Sequence, residues 1–559
     1  MNRKLFLLAN SRTAAFIILL SLNAFSIAEQ DRPNILLLMA EDLSPRIGAF
    51  GDPVAVTPNL DKLAAEGVRY TNVFAASGVC ATNRAALITG MAQESMGGQH
   101  MRAYSGSFNY QASPPPEVKA FPELLRAADY YTFATSKLDY QFSKIAPGTG
   151  PFTIWDWESK SGDWATPEAK PFFGYMTFLS THESGVFPRW TWPRNFPHMT
   201  MQTVHIYLHW NTEDKVAAKD VEVPPYYPDT PPIRQDIARH YNNIITMDRN
   251  VGEVLRRLEE EGLADDTIVI WTTDHGDGLP RAKRELYDSG LHTPMIIRWP
   301  ERWRPKGVIP GSVNNRLVSV VDIAPTILSL AGAPIPTFIQ GKVFAGPKED
   351  EPRQYIFAAR DRIDAIPDRQ RAARDERHKY IKNYNRQAGA FHLRFRDTTD
   401  GMRDLWRAFE ANEMNDIQRQ WFESRPEEYL FDTQLDPFEI NNLAADPKNV
   451  ETLQRMRGAL ETHKASIKDY SDMNETVMAE LFWPGGQQPL TLPVMFSEQE
   501  GKIEMSSATE GASVGYRIED QPWQLYTKPL NLPPNKKLEA KAIRYGWQES
   551  LTSEHKRSR

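Results

Sequence analysis

The sequence predicts an α/β protein: a mainly parallel sheet flanked by helices, then a smaller antiparallel α+β C-terminal subdomain and a small β-sandwich-like tail. Three observations carry this reading. Asn34 to Ala40 is a continuous apolar run, as expected of a strand buried on both faces of a parallel sheet. Strand-like and helix-like segments then alternate, which is the pattern of parallel strands joined by crossover helices. Four strands end in a charged or coordinating residue, namely Asp42, Lys137, His182 and Asp274. In open α/β sheets ligands bind beyond the carboxyl ends of the strands, so these four are predicted to meet on one edge.

Each element has its own signal. After the first strand, Thr57 reads as an N-cap, Pro58 as the first helical residue and Gly67 as the residue past the helix end. Phe121 to Ala128 reads as a helix, and Tyr130 to Thr135 as a strand ending at Ser136-Lys137. Phe172 to Thr181 reads as a longer strand ending at His182-Glu183. Pro232 to Leu263 contains a long helix whose apolar stripe is Ile237, Tyr241, Ile244, Val251, Leu255 and Leu258. Thr267 to Thr273 is a strand ending at Asp274-His275, and Pro294 to Trp299 another. A helix from Asp322 to Ala331 is closed by Gly332. From Lys348 to Asp375 the chain is charged and loop-like, with a short strand at Tyr355 to Ala359. Strands at Lys379 to Asn383 and Tyr429 to Asp432 and a helix from Val450 to Ile467 follow. From Thr491 to Ser550 short apolar stretches alternate with Gly and Pro, which suggests a small β-sandwich.

The chain has 559 residues, too many for one ordinary domain. Hydrophobic content of 41% with 25% charged residues is a globular balance. The net charge of −7 argues against nucleic acid as partner, because binding it needs a basic footprint. An anionic substrate must then be met by local cations. Arg3 and Lys4, the apolar run from Ala14 to Phe25 and the small residues Ser26-Ile27-Ala28 read as a signal peptide. Export to a bacterial periplasm or the extracellular space is expected, with no membrane span after cleavage. A single cysteine permits no internal disulfide, so stability rests on core burial.

That cysteine lies in Ser77-Gly78-Val79-Cys80-Ala81-Thr82-Asn83-Arg84, continuing to Gly90. Ser77-Gly78 reads as a turn, Arg84 to Ile88 are helix formers, and Gly90 suits a helix end. Cys80 is thus expected at a helix N-terminus with Arg84 one turn on. Such a position gathers N–H donors and the positive end of the helix dipole, which suits a nucleophile that holds a small anion. A buried, unreactive thiol is the plainer alternative.

Cys80-Ala81-Thr82-Asn83-Arg84 resembles the Cys-x-Pro/Ala-x-Arg signature of type I sulfatases, in the alkaline-phosphatase superfamily. So do Arg32-Pro33-Asn34 through Glu41-Asp42, Thr57-Pro58-Asn59-Leu60-Asp61, and Thr273-Asp274-His275-Gly276. The resemblance runs from about residue 33 to 445. It implies an alkaline-phosphatase-like fold and conversion of Cys80 to formylglycine by a maturation enzyme. It also implies one Ca²⁺ held at Glu41, Asp42, Asp274 and His275 beside Cys80. Arg84, Lys137, His182 and Lys283 match the family's catalytic groups, the two lysines on the sulfate and His182 as acid to the leaving group.

Three residues depart from the family pattern. Thr82 stands where Pro or Ala is usual, Glu41 where Asp is usual, and Asp139 where a histidine is expected. Either Asp139 acts as the base in its place or another histidine serves. Gln99-His100-Met101-Arg102 and Gly290-Leu291-His292-Thr293-Pro294 resemble a bacterial heparan N-sulfatase-like branch. That makes His100, Arg102, Asp139 and His292 candidates for substrate binding, with surface or packing roles as the alternative. The segment from about 489 to 553 resembles the C-terminal β-domain of chitobiases and hexosaminidases. The domain reading is therefore a leader at 1–28, a catalytic α/β domain at 29–347, a C-terminal subdomain at 348–475 and an accessory β-domain at 476–559. The expected substrate is a sulfated oligosaccharide of heparan type. A phosphomonoester or phosphodiester hydrolase of the same superfamily and a non-catalytic glycan-binding relative are the competing readings.

Overall fold

A computed structural model describes residues 32–556, apart from 106–107, 165, 188–214 (in which only 199 and 203 are described), 364–366, 387 and 393–398. The predicted leader and residues 557–559 of the basic tail lie outside the described residues.

The central sheet has eight strands in the order β4-β3-β5-β1-β6-β7-β2-β8. They are β1 (Asn34–Ala40), β2 (Val68–Phe74), β3 (Tyr131–Thr135), β4 (Trp157–Ser159), β5 (Phe172–Phe178), β6 (Thr267–Thr273), β7 (His292–Arg298) and β8 (Val313–Ser319). β1, β5 and β6 are buried at every residue, in keeping with their largely apolar character. Only β7 runs against its neighbours, being antiparallel to both β6 and β2. The strand read from Pro294 to Trp299 is thus present, but its direction is opposite to the rest.

Helices cover both faces: α1 (Pro58–Glu66), α2 (Cys80–Thr89), α3 (Phe121–Ala127), α4 (Pro231–Glu260) and α5 (Ile323–Leu330). The α4 stripe lies where its period places it, with Ile237, Tyr241, Ile244, Val251 and Leu258 buried in one core beside Leu36, Leu38 and Trp271. α2, α3 and α5 pack on the opposite face around Ile35, Leu37, Phe173 and Ile270. Thr57 does precede α1, yet its hydroxyl donates to Asp61, accepts from Gly48 N and caps no N–H of the helix.

A second, antiparallel sheet is ordered β12-β11-β10-β9, with β9 at Ile356–Arg360, β10 at Gln370–Arg374, β11 at His378–Asn383 and β12 at Glu428–Asp432. Helices α6 (Asp400–Glu410), α7 (Val450–Ser466) and α8 (Glu475–Phe482) accompany it. The tail holds the hairpin β13 (Val494–Gln499) and β14 (Lys502–Ser507), and a sheet of β15 (Ser513–Ile518), β16 (Gln524–Leu525), β17 (Lys537–Ile543) and β18 (Ser553–Lys556). All its pairings within strands are antiparallel, and a separate small core around Ile503, Leu538 and Ala540 fills it.

Candidate active site

Helix α2 starts at Cys80 and is buried at all its residues. Gly90 ends it in the left-handed conformation, φ 67°, with its N–H on Ala86 O. No side chain caps its start. Instead Thr82 Oγ1 donates to Ser77 Oγ (2.7 Å) and also contacts Val79 O, tying the first turn to the preceding loop. That loop passes so close to Glu285 that a Cβ on Gly78 would lie 2.4 Å from Glu285 O.

The edge predicted for the site does assemble. Cys80 Sγ lies 3.3 Å from Lys283 Nζ, 3.3 Å from His275 Nε2, and 3.7 Å from carboxylate oxygens of both Glu41 and Asp42. Burial opposes thiolate formation, but Lys137 and Lys283 outweigh it and lower the thiol pKa. Arg84 has no exposed side-chain surface. It pairs with Glu41, reaches Asp274 Oδ2 at 3.4 Å, and donates to Tyr175 OH (2.6 Å), Thr177 Oγ1 and Lys137 O. Lys137 Nζ donates to Glu41 (2.6 Å) and Lys283 Nζ to both oxygens of Asp42 (2.8 and 2.6 Å). Asp274 Oδ1 accepts from the backbone N–H of Asp42 and of His275, each at 3.0 Å. Burial, and then Glu41, push its pKa up to about 7.

The two histidines differ in protonation. Gly276 O can only accept, so His275 Nδ1, 3.0 Å away, carries a proton, and Nε2 donates to Asp42 Oδ1 at 3.1 Å. Burial opposes charge on His275, but Asp274 and Asp42 raise its pKa well above the ordinary value. His182 is the reverse case. β5 ends at Phe178, three residues earlier than the sequence suggests, and His182 caps a 3-10 turn. Ser184 N–H donates to His182 Nδ1, so the neutral ring carries its proton on Nε2. Burial and Lys283 lower its pKa to about 4.

Two sets of donor atoms lie within 4.8 Å of one another: Glu41, Asp42, Cys80 and His182, and Asp42, Cys80, Asp274 and His275. The carboxylates of Glu41, Asp42 and Asp274 suit a hard divalent cation, which takes oxygen ligands. Ion pairs surround the site. Glu41, Asp42, Asp139, Asp274 and Glu183 face Arg84, Arg102, Lys137, Lys283 and Arg284.

The outlying candidates fare differently. Asp139 is held by Arg102 through both oxygens and lies 3.7 Å from Lys137. Burial opposes its charge, yet Arg102 and Lys137 keep its pKa below the carboxylate norm. A carboxylate so tightly paired is a weak base. His100 lies at the rim, where Nδ1 accepts from Arg362 N and Nε2 is 3.9 Å from Glu475. His292 stays outside the cluster. It stacks on Phe74 with ring centroids 4.9 Å apart and donates from Nε2 to Thr71 O. Pairing of β7 with β2 turns it toward the second sheet and away from Cys80.

The sequence reading missed Tyr175 and Thr177, which hold Arg84, and Glu183, which pairs with Arg284 and gives its N–H to Asp42 Oδ2. Their alternation on β5 and adjacency to His182 were the available signals. Asn83 was also missed; its side chain joins Ala76 N to Asp274 O.

Fold and site together define a hydrolase of the alkaline-phosphatase superfamily. The sulfatase family profile matches residues 33–150 and 159–333, and that of the N-sulphoglucosamine sulphohydrolase C-terminal region matches 281–428. An ulvan-active sulfatase of Formosa agariphila is 39% identical over 551 residues, covering 93% of this chain and 90% of that protein. Human N-sulphoglucosamine sulphohydrolase is 27% identical over 487 residues, covering 77% and 90%. The structure of a 2-O GAG sulfatase aligns with TM-score 0.56 at 18% identity, covering 79% of this chain and 94% of that one, a likeness of fold. The chain belongs to the sulfatase family, as a type I sulfatase that hydrolyses sulfuric esters.

Proposed function

We propose that this sulfatase is exported and removes sulfate from a carboxylate-bearing sulfated polysaccharide, using one Ca²⁺ and a formylglycine made from Cys80. The observation that carries the reading is the position of Cys80 Sγ, within 3.3 Å of both Lys283 Nζ and His275 Nε2 and beside Asp42 and Glu41. Asp42, Asp274 and Glu41 would hold the cation, joined by His275 Nε2 once the cation displaces its proton. When present, the cation supplies Lewis-acid stabilisation of the sulfate oxygens and the hydrated aldehyde supplies the attacking oxygen.

The chain's own residues do the rest. Arg84 holds Glu41 and Asp274 in place around residue 80. Lys137 and Lys283 meet negative charge on the sulfate as the S–O bond breaks. An added dication would bring positive charge to the site, as a bound sulfate requires. His182 turns its Nε2–H toward the leaving oxygen; an arriving sulfate supplies the negative charge that favours the imidazolium needed for proton delivery.

The relative at 39% identity acts on ulvan, which favours an algal polysaccharide here. A second reading, an N-sulfated glucosamine unit of heparan type, is favoured by the match at residues 281–428. The test is sulfate release from ulvan oligosaccharides, from heparin disaccharides sulfated at N, 2-O or 6-O, and from an aryl sulfate. Peptide mass spectrometry at residue 80 and elemental analysis accompany it. We expect formylglycine, one calcium per chain and turnover of ulvan fragments. His182→Ala should lose more activity on sugar sulfates than on the aryl sulfate, whose leaving group needs no proton. An intact thiol in fully active protein refutes the nucleophile, and turnover of aryl sulfates alone refutes the polysaccharide.

A further inference from the structure

The loop from Ser136 to Ser143 carries Lys137 and Asp139 beyond the carboxyl end of β3. Three of its non-glycine residues have left-handed backbone: Ser136 (φ 70°), Asp139 (60°) and Gln141 (62°). Such a conformation persists only where the surroundings over-determine it. Local supports are visible. Leu138 N donates to Ile145 O, and Gln141 Nε2 donates to Gly98 O (2.7 Å) and His100 O (2.6 Å). Gln141 Oε1 accepts from Arg102 N at 2.9 Å, and Arg102 closes the loop onto Asp139.

Ser136 N donates to Ser159 O, and Lys137 O accepts from Arg84 and Thr177. A further support comes from about 400 residues away in sequence, in the tail that resembles a glycosidase accessory domain. Tyr545, just after β17, stacks on Phe142 with ring centroids 4.9 Å apart and planes 22° apart. It is 1% exposed and lies in the same buried cluster as Leu138, Tyr140, Ile35 and Leu37. Its hydroxyl donates to Glu123 Oε2 (2.8 Å) and accepts from Ala120 N (3.2 Å), so α3 holds the ring in place. The flanking residues are pinned too. Arg544 Nη2 donates to Pro114 O (2.6 Å), and Gly546 O accepts from Trp483 Nε1 (3.1 Å). The segment so clamped returns to the loop, since Ala112 N donates to Gln141 O (3.1 Å).

We infer that the C-terminal β-domain is an internal brace of the active-site loop, with Tyr545 a positioning residue that acts through Phe142 on Lys137 and Asp139. The domain is on this view part of the catalytic apparatus and not a tethered glycan-binding module. The inference rests on the reading of Lys137 as a sulfate-contacting group.

The test uses the full chain with Tyr545→Phe, Tyr545→Leu and Phe142→Leu, beside Lys137→Ala. Steady-state kinetics on an aryl sulfate and hydrogen exchange across residues 136–143 are the readouts. Tyr545→Phe keeps the stack but frees the ring from Glu123 and Ala120, and should lower kcat less than Tyr545→Leu does. Tyr545→Leu and Phe142→Leu keep the site filled but lose the stack. Each should lower kcat by about 10-fold or more, because small displacements of catalytic groups are costly. Exchange should rise in 136–143 and stay unchanged in β1 and β6. Parent-like kcat and loop exchange in folded Tyr545→Leu would overturn the brace. So would equal loss in Tyr545→Phe, or loss of exchange protection throughout the sheet. If instead Lys137→Ala keeps full activity, the reading of the site fails and not merely the brace.

Discussion

Arg84 shows how one side chain can hold a site together. With no exposed surface it serves Glu41, Asp274, Tyr175, Thr177 and the carbonyl of Lys137. A buried ion pair adds little net stability while intact, but removing one partner leaves a charge stranded in low dielectric. Arg84→Ala should therefore cost about 3–5 kcal/mol and abolish activity. Arg84→Lys should rescue little of either, because an ammonium lacks the planar fork that spans Glu41 and Asp274. Urea unfolding monitored by tryptophan fluorescence measures the first effect. Near-parent stability of Arg84→Ala would show that Glu41 and Asp274 relax toward other partners. The departures Thr82 and Asp139 also find their reasons at this scale. Thr82 closes the turn on Ser77, and Asp139 is a counter-ion for Arg102 and Lys137.

At the scale of elements, the turn before α2 decides where residue 80 points. Arg284 N donates to Gly78 O at 2.6 Å, and the Glu285 backbone fills the space where a side chain on Gly78 would sit. Neither strand of this contact can yield cheaply, since both are backbone and both lead into the site. Gly78→Ala should thus lower kcat by more than about 10-fold, equivalent to about 1.4 kcal/mol in the barrier, while the far end of α2 keeps its Gly90 cap. Kinetics on an aryl sulfate with a circular dichroism melt check it; unchanged kcat would mean that the turn shifts without moving Cys80. Elements also explain what was legible. β1, β6 and the start and stop of α2 follow from apolar runs and a glycine cap. β2 and β8 escape because Arg69, Asn72, Asn314 and Arg316 interrupt them. β10, Gln370–Arg374, reads as a polar loop, yet Arg371 and Arg374 are buried against Asp361, Asp469 and Asp288.

For the molecule as a whole, buried carboxyls set the pH range of stability. Asp236 on α4 is 3% exposed and accepts from Gly401 N while pairing with Arg239. Burial outweighs Arg239, and Asp400 lies nearby, so its pKa rises from 3.8 to about 7. The folded state then binds this proton more tightly than the unfolded chain does. The contribution is fully present below pH 3.8 and is lost as pH rises to about 7. The difference in denaturant midpoint between the parent and Asp236→Asn should accordingly change across that window, to the parent's disadvantage as pH rises. A difference that stays constant would mean that Arg239 keeps Asp236 ionised throughout.

By itself the sequence determined the α/β class, the buried parallel strands, the helix that begins at Cys80 and the residues at the strand ends. These depend on local period, on caps and on the geometry of strands that finish at one edge. The tertiary structure alone decided the direction of β7, the exclusion of His292, the pairing of Asp139 with Arg102 and the descent of Tyr545 into the catalytic core. Each of those turns on which distant partner reaches a group first, a competition among burial, charge and hydrogen bonding that no local pattern records.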